Sequence, residues 1–192
     1  MRIGLFGGTF DPPHNAHVAL AHAALDALRL DMVRWIPAGQ PWQKARDVTP
    51  AVHREAMVRA AIAGEPRFVL DRSELERAGP SYMVDTVREL QAREPGAHWF
   101  LVLGADQVAG LHTWHDWRAL VGLVTLAVAN RPGGHPPLDP EVQSAARCVV
   151  PLPLLDLSAT DIRERRARGL PIHSMVPPAV AGYIETHALY GS

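Results

Sequence analysis

Two histidines three residues apart follow a pair of glycines near the start of the chain, in Gly7-Gly8-Thr9-Phe10-Asp11-Pro12-Pro13-His14-Asn15-Ala16-His17. Because glycine has no Cβ, the backbone here can turn sharply and approach a ligand closely. Asn15 is a favoured helix N-cap, which would place His14 just outside a helix and His17 in its first turn. Unpaired N–H groups at a helix start favour an anion. The run therefore predicts a phosphate-handling site.

Several familiar chemistries do not fit this run. It is not G-x-G-x-x-G, and G-x-x-x-x-G-K-[ST] occurs nowhere, which disfavours hydride transfer and P-loop hydrolysis. Histidines at this spacing can share a zinc ion, yet the chain has no H-E-x-x-H motif and no third candidate ligand at a sequence spacing typical of zinc sites. A plain helix-capping loop with two surface histidines is the remaining alternative.

A second candidate helix start lies near the other end of the chain. Ser158 is followed at three residues by Asp161, which is a capping-box pattern, and Gly169 is a suitable helix end. The hydroxyls of Ser158 and Thr160 would lie at the mouth of this helix, with Arg163 one turn further in. An ordinary capped and solvated helix is the alternative, because several more arginines follow.

A third candidate follows the most strand-like stretch, residues 98–103. Gly104-Ala105-Asp106 comes directly after that stretch, and an aspartate there can accept hydrogen bonds from ribose hydroxyls. Trp114 offers a flat face on which a pyridine or purine ring can stack. We expect Trp117 to pack in the core instead.

The elements that would position these residues alternate between strand and helix. This alternation predicts an α/β fold: a Rossmann-like open parallel sheet with helices on both faces and a small helical segment over about 157–192. We expect a single domain over 1–192. Ligands of such sheets bind at the carboxyl ends of the strands. Four loops with marked residues fall at such ends, namely 7–17, 38–44, 104–117 and 130–134.

The predicted boundaries follow from apolar runs, caps and breakers. Strands are expected at 2–6, 33–37, 68–70, 98–103, 124–129 and 147–150. Helices are expected at 18–30, 50–63, from 81 through 90, at 116–121, from 158 to 169, and from about 177. Residues 74–80 and 130–140 are expected to be loops, and Ser81 is expected to cap its helix.

Composition narrows the class of protein. A formal net charge of −1 argues against a nucleic-acid binder. The single cysteine, Cys148, is expected to be a buried strand residue, and one cysteine suits a reducing cytoplasm. Neither a membrane-spanning apolar run nor a signal peptide is evident, so we expect no membrane contact. The one lysine, Lys44, stands among 18 arginines in a polar connection. The sequence does not indicate an oligomeric state, and a homo-oligomer is one alternative.

The run from Gly7 to His17 resembles G-G-T-F-D-P-x-H-x-G-H, the signature of the nucleotidyltransferase superfamily and, within it, of bacterial nicotinate-nucleotide adenylyltransferases. Ala16 stands where that family usually has glycine. Leu157-Ser158-Ala159-Thr160-Asp161-Ile162-Arg163 is similar to its I-S-S/A-T-x-I-R motif. The resemblance implies that Ser158 and Thr160 contact ATP phosphates and that Arg163 binds the end that leaves as pyrophosphate.

The sequence between these two motifs contains further matches to motifs of the same family. Gly104, Asp106 and Trp114 match G-x-D-x(7)-W, which implies that Asp106 holds a ribose. The Trp114 ring and the backbone N–H groups of Trp114 and His115 would then read the pyridine carboxylate. Ser81-Tyr82-Met83-Val84-Asp85-Thr86 resembles S-Y-T-x-x-T-L, with Met83 in place of a threonine that helps recognise that carboxylate.

Two loop cations and the end of the chain complete the resemblance. It places Lys44 near the phosphates and Arg131 near the mononucleotide, while Val176-Pro177-Pro178-Ala179-Val180 through Tyr190 matches a closing segment to which we assign packing. The implied activity is transfer of AMP from ATP to nicotinate mononucleotide, giving deamido-NAD and pyrophosphate. Mg²⁺ would be held by the phosphates rather than by protein ligands.

The implied contacts divide between the two substrates. His14, His17, Lys44 and Arg163 would be catalytic. The ATP site would comprise Gly7, Gly8, Thr9, Phe10, His14, His17, Gly104, Asp106, Ser158, Thr160 and Arg163. The mononucleotide site would comprise Lys44, Met83, Thr86, Asp106, Trp114, His115 and Arg131. The alternatives are an adenylyltransferase for nicotinamide mononucleotide or phosphopantetheine, a non-catalytic nucleotide-binding module, and a nucleic-acid binder that uses the arginines of 163–168.

Overall fold

The computed structural model describes residues 1–41, 48–129, 137–152 and 155–191. Its centre is a sheet of six parallel strands in the order β3-β2-β1-β4-β5-β6. The strands are β1 (Arg2–Gly8), β2 (Met32–Pro37), β3 (Phe68–Leu70), β4 (His98–Leu103), β5 (Thr125–Ala129) and β6 (Arg147–Val150). This order reverses direction between β1 and β4, which is the topological switch point of a Rossmann-like sheet. The predicted fold class is confirmed.

Nine helices connect or follow the strands in the described part of the chain. They are α1 (Asn15–Ala27), α2 (Ala51–Ile62), α3 (Ser73–Glu76), α4 (Met83–Arg93), α5 (Ala105–Ala109), α6 (Trp117–Leu123), α7 (Pro140–Ser144), α8 (Ala159–Ala167) and α9 (Pro178–Thr186). A single 3-10 turn, Leu111–Thr113, precedes α6. None of the described helices is both long and apolar enough to cross a membrane.

Both faces of the sheet are covered, because the strands carry apolar side chains on both sides. On one face, Phe6 and Trp35 pack against α1 and α2. On the other face, Leu5 and Leu101 pack against α4 and α6. A third apolar cluster joins α2 to α8 and α9 through Met57, Ile162, Ile172, Val176, Val180, Ala181 and Ile184. The C-terminal helical segment is thus attached to the sheet through α2.

Several predicted local features differ from the structure. His14, rather than Asn15, is the N-cap of α1, because its carbonyl accepts the backbone N–H of Val18 at 3.2 Å; its own N–H donates to Nδ1 of His17 at 3.1 Å. Asn15 is instead held by the C-terminal segment: its side-chain amide donates to the Ser174 carbonyl at 3.0 Å. The helix ends at Ala27 and not at residue 30. Cys148 is half-buried rather than buried.

Short helices account for the other differences. The predicted loop 74–80 begins inside α3, and α5 and α7 were not predicted. Ser81 does not cap a helix, since α4 begins after Tyr82. The Ser81 hydroxyl instead accepts hydrogen bonds from the backbone N–H groups of Gly39 at 2.9 Å and Gln40 at 3.1 Å. It therefore joins the loop after β2 to the start of α4.

Candidate active site

A cavity of about 870 Å³ opens at the carboxyl ends of β1 and β4, where the strand order reverses. Its lining includes Gly7, Gly8, Thr9, Phe10, Asp11, His14, His17, Ala38, Glu74, Ser81, Tyr82, Met83, Asp106, Trp114, His115, Leu157, Ser158, Ala159, Thr160 and Arg163. Three of the four predicted loops and both predicted helix starts therefore meet at one place. Lys44 and Arg131 fall in 42–47 and 130–136, outside the described residues.

The loop over residues 7–17, called the opening loop below, lies so close to its neighbours that its first two residues have to be small. A Cβ built on Gly7 would lie 2.3 Å from Cε of Met83, and one on Gly8 would lie 3.0 Å from the Phe10 ring. Phe10 itself takes a left-handed backbone with φ of 50°, and its ring is buried against Phe6 and Trp35. The aromatic anchor fixes the path of the loop, and the two glycines keep its inner side open to the cavity.

The rings of His14 and His17 stack on each other with centroids 3.6 Å apart. Burial lowers the pKa of His14 to about 4, and burial followed by the neighbouring His14 lowers the pKa of His17 as well. Both rings are therefore neutral at neutral pH. Because Nδ1 of His17 accepts the His14 backbone N–H, the hydrogen of the neutral ring is on Nε2. Nδ1 of His14 is buried with no hydrogen-bond partner in the described part of the chain.

The second helix start takes the predicted form. The Ser158 hydroxyl accepts the backbone N–H of Asp161 at 3.1 Å and donates to its carboxylate at 2.6 Å, so Ser158 is the N-cap of α8. The first amides of α8 have no partner within the helix and lie at the cavity wall. Arg163 donates to the Thr160 hydroxyl at 3.1 Å and to the Asp11 carbonyl at 2.8 Å. One guanidinium thus connects the start of α8 to the loop that leads into α1.

The opposite wall is formed by the segment after β4. Gly104 is the N-cap of α5, and its backbone N–H donates to the Gln107 side chain at 2.9 Å, so it supports the wall without lining it. Asp106 is exposed to the cavity at the first turn of α5. Trp114 is half-buried, and the His115 ring stacks on Tyr82 with centroids 4.0 Å apart. Trp117 is buried in the core, as expected.

Thr86, like Gly104, is a predicted site residue that does not line the cavity. It is fully buried, and its hydroxyl donates to the Glu74 carboxyl at 2.8 Å and accepts from Arg77 at 2.9 Å. Glu74 does line the cavity, and burial raises its pKa. Thr86 thus lies behind Glu74, whereas Met83 lies directly on the opening loop.

A buried arginine, Arg54, was not identified from the sequence. It donates to the carbonyls of Thr49 at 2.8 Å, Thr9 at 3.0 Å, Ala38 at 2.6 Å and Gly39 at 3.3 Å. These carbonyls belong to the opening loop and to the loop after β2. In sequence Arg54 lies in an ordinary helix, α2, and no motif marks it.

Asp11, Glu74 and Asp106 contribute carboxylates to the cavity lining. No three His, Cys, Asp or Glu side chains are grouped to hold a metal among the residues with described positions. Mg²⁺ is typically bound by few carboxylates together with substrate phosphates and water. The open cavity and its phosphate-favouring helix starts fit that mode of binding.

Comparisons with known proteins agree with this description. An open parallel sheet with anion-favouring helix starts at its switch point defines a nucleotide-binding α/β protein. The family model for cytidylyltransferase-like proteins matches residues 5–165. Proteins named probable nicotinate-nucleotide adenylyltransferase from Methylibium petroleiphilum and Albidiferax ferrireducens are 51% and 48% identical over 98% of this chain, covering 92% and 98% of their own lengths. The chain belongs to the cytidylyltransferase-like family and, within it, to the nicotinate-nucleotide adenylyltransferases.

A solved structure supports the fold. The Plasmodium falciparum nicotinic acid mononucleotide adenylyltransferase complexed with NaAD superposes with a TM-score of 0.80, covering 98% of this chain and 97% of that chain. The two sequences are 20% identical, so this likeness concerns the fold. The family resemblance drawn from the sequence motifs is confirmed, while the roles of individual residues stay predictions.

Proposed function

We propose that this protein transfers the AMP moiety of ATP to nicotinate mononucleotide, giving deamido-NAD and pyrophosphate for NAD biosynthesis. One observation carries the proposal beyond family membership: the starts of α1 and α8 line the same cavity, and Arg163 of α8 bonds the loop that leads into α1. Two anion-favouring sites so joined suit a triphosphate, whose α-phosphate would lie by the histidines and whose far end would lie by α8.

The reaction needs no protein nucleophile. A phosphate oxygen of the mononucleotide attacks the α-phosphorus in line; a new phosphorus–oxygen bond forms as the bond to the β-phosphate breaks. The protein supplies positioning and stabilises the charge that moves onto the transferring and leaving groups. His17, whose hydrogen is on Nε2, and His14 would donate to oxygens of the α-phosphate.

Positive charge would come from other residues. Arg163 would offset charge on the leaving pyrophosphate, assisted by Lys44, while Ser158, Thr160 and the first amides of α8 bind the same end. Gly7, Gly8, Thr9 and Phe10 would form the floor under the nucleotide. Mg²⁺ bound to the phosphates would neutralise part of their charge and orient them.

The remaining wall would select the acceptor. Asp106 would accept hydrogen bonds from a ribose, and Trp114 with the backbone N–H groups of Trp114 and His115 would face the pyridine ring and its carboxylate. Met83 and Arg131 would complete that subsite, and Thr86 would act through Glu74. A cytoplasmic location and a homo-oligomer stay predictions.

Pyrophosphate release tests the proposal. The purified protein with ATP, nicotinate mononucleotide and Mg²⁺ should release pyrophosphate and form the dinucleotide in equal amounts. Leaving out the mononucleotide should abolish release. ATP binding without release when both substrates are present would instead indicate a non-catalytic nucleotide-binding module and would contradict the proposal.

A further inference from the structure

We propose that Tyr190, near the end of the chain, is a positioning residue for the phosphate-binding loop. Its hydroxyl donates to Oδ1 of Asp11 at 2.7 Å, across 179 positions of sequence. Asp11 lies within the opening loop, three residues before His14, and is only 2% exposed. The inference rests on the proposed adenylyl transfer and adds a role to the C-terminal segment, to which the sequence assigned packing alone.

The hydroxyl of Tyr190 is well suited to this contact. Burial, together with the adjacent Asp11 carboxylate, raises the pKa of Tyr190, so the hydroxyl stays protonated and can only donate to the carboxylate. A carboxylate as buried as that of Asp11 needs hydrogen-bond donors to offset its desolvation. The backbone N–H of Thr49 is a second donor, at 3.3 Å from Oδ2.

Asp11 also holds Arg163, to which the proposed reaction assigns a role. Its carbonyl accepts the Arg163 guanidinium at 2.8 Å. Three segments far apart in sequence therefore converge on one residue of the opening loop: the loop before α2, the helix α8 and the end of the chain. The bonds to the Asp11 side chain therefore anchor the stretch of backbone whose carbonyl orients Arg163 and which leads to His14.

The ring and the hydroxyl of Tyr190 make different contacts. The ring packs at the edge of the third apolar cluster, and the hydroxyl, besides its bond to Asp11, lies 3.8 Å from the Met57 sulfur of that cluster. That cluster does not line the cavity, and Asp11 does. The ring thus serves packing, whereas the hydroxyl reaches the residue that shapes the site. Replacing tyrosine by phenylalanine keeps the ring and removes the hydroxyl with its contacts, of which the 2.7 Å bond to Asp11 is the one that reaches a cavity-lining residue.

Tyr190→Phe is therefore the informative variant. A hydrogen bond to a charged group contributes enough free energy that its loss should lower kcat by about tenfold. The KM for nicotinate mononucleotide should change by less than about twofold. ATP binding, measured by calorimetry without the mononucleotide, should weaken by about tenfold as well. The binding measurement does not depend on turnover, so it tests the role of Tyr190 even in a protein that releases no pyrophosphate. Absence of pyrophosphate release by the wild type would contradict the proposed reaction and not the role of Tyr190.

Tyr183→Phe is the matched control. Tyr183 lies on α9, and its hydroxyl bonds Nδ1 of His53 at 3.0 Å, away from the cavity. This variant should lose a comparable hydrogen bond and a comparable amount of thermal stability, yet keep wild-type turnover and ATP affinity. Equal losses of activity in both variants would show a purely structural role, and wild-type kinetics and ATP affinity in Tyr190→Phe would remove the role altogether.

A double variant checks the partner. If Tyr190 acts through Asp11, Tyr190→Phe should add less than about twofold to the kinetic effect of Asp11→Asn, because coupled residues are not additive. Effects that multiply would mean that Tyr190 acts through another residue, and would overturn the assignment.

Discussion

Burial keeps the imidazoles of His14 and His17 neutral at neutral pH, and this decides what they can offer a phosphate. A neutral ring has one N–H, and in His17 it is on Nε2 because Nδ1 is already an acceptor. The histidines can thus supply directed hydrogen bonds, while the positive charge has to come from guanidinium and ammonium groups. Arg163 at the start of α8 supplies such a charge within the described site.

The His17 assignment predicts a specific kinetic result. His17→Ala should lower kcat by about 100-fold while raising the KM for nicotinate mononucleotide far less, because its hydrogen bond strengthens as charge develops in the transition state. His22→Ala, on the same helix but facing Glu65, should leave turnover unchanged. Near wild-type turnover of His17→Ala in steady-state assays would refute the role.

The buried His14 predicts a pH-dependent stability. Its pKa is about 4 in the folded protein and 6.5 when solvated, so between these values the unfolded chain binds a proton that the folded chain does not. The contribution of His14 to the free energy of unfolding should therefore be fully present above pH 6.5 and should fall by about 3 kcal/mol as the pH decreases to 4, and the lowered pKa of His17 acts in the same direction.

Urea unfolding over this pH range measures the effect. The His14→Asn variant should lose stability less steeply on acidification than the wild type. Identical slopes for His14→Asn and the wild type would show that His14 is not the titrating group.

At the scale of elements, the loop after β2 is fixed to the segment before α4 by a very close approach. A Cβ on Gly39 would lie 2.1 Å from the backbone oxygen of Glu74, and Ser81 binds the N–H groups of Gly39 and Gln40. Both segments line the cavity. The cavity wall that we propose to bind the acceptor thus depends on Gly39, which has no side chain.

Gly39→Ala should therefore destabilise the protein by about 2 kcal/mol, because one of two backbone segments has to move. Gly182→Ala is the matched control: Gly182 lies inside α9, and a Cβ added there would have nothing within 4 Å. It should stabilise the helix by about 0.5 kcal/mol. Chemical denaturation measures both variants, and equal shifts of the unfolding midpoint would contradict the close approach.

Local patterns explain which elements could be predicted. The six strands are apolar runs between turn residues, and Ser158 with Asp161 is a cap whose partners are adjacent in sequence. The helices α3, α5 and α7 have only four or five residues, too few for a helical period to be visible. Ser81 has the right residue type for a cap, but its hydroxyl bonds a loop some 40 positions away.

At the scale of the whole molecule, alternating strands and helices were enough to predict a parallel sheet with a site at its switch point. The contacts that shape the site were not predictable in the same way. Arg54 binds carbonyls of two loops, and Tyr190 reaches Asp11 from the far end of the chain. Such pairs leave no periodic trace, because they exist only after the chain has folded.

The most direct test of the proposed function compares the rates at which different acceptors are adenylylated. With ATP and Mg²⁺, kcat/KM should be higher for nicotinate mononucleotide than for nicotinamide mononucleotide, because backbone N–H groups at Trp114 and His115 would bind the carboxylate. Phosphopantetheine should not be adenylylated. Equal or better use of nicotinamide mononucleotide, or turnover of phosphopantetheine in place of nicotinate mononucleotide, would contradict the proposed function.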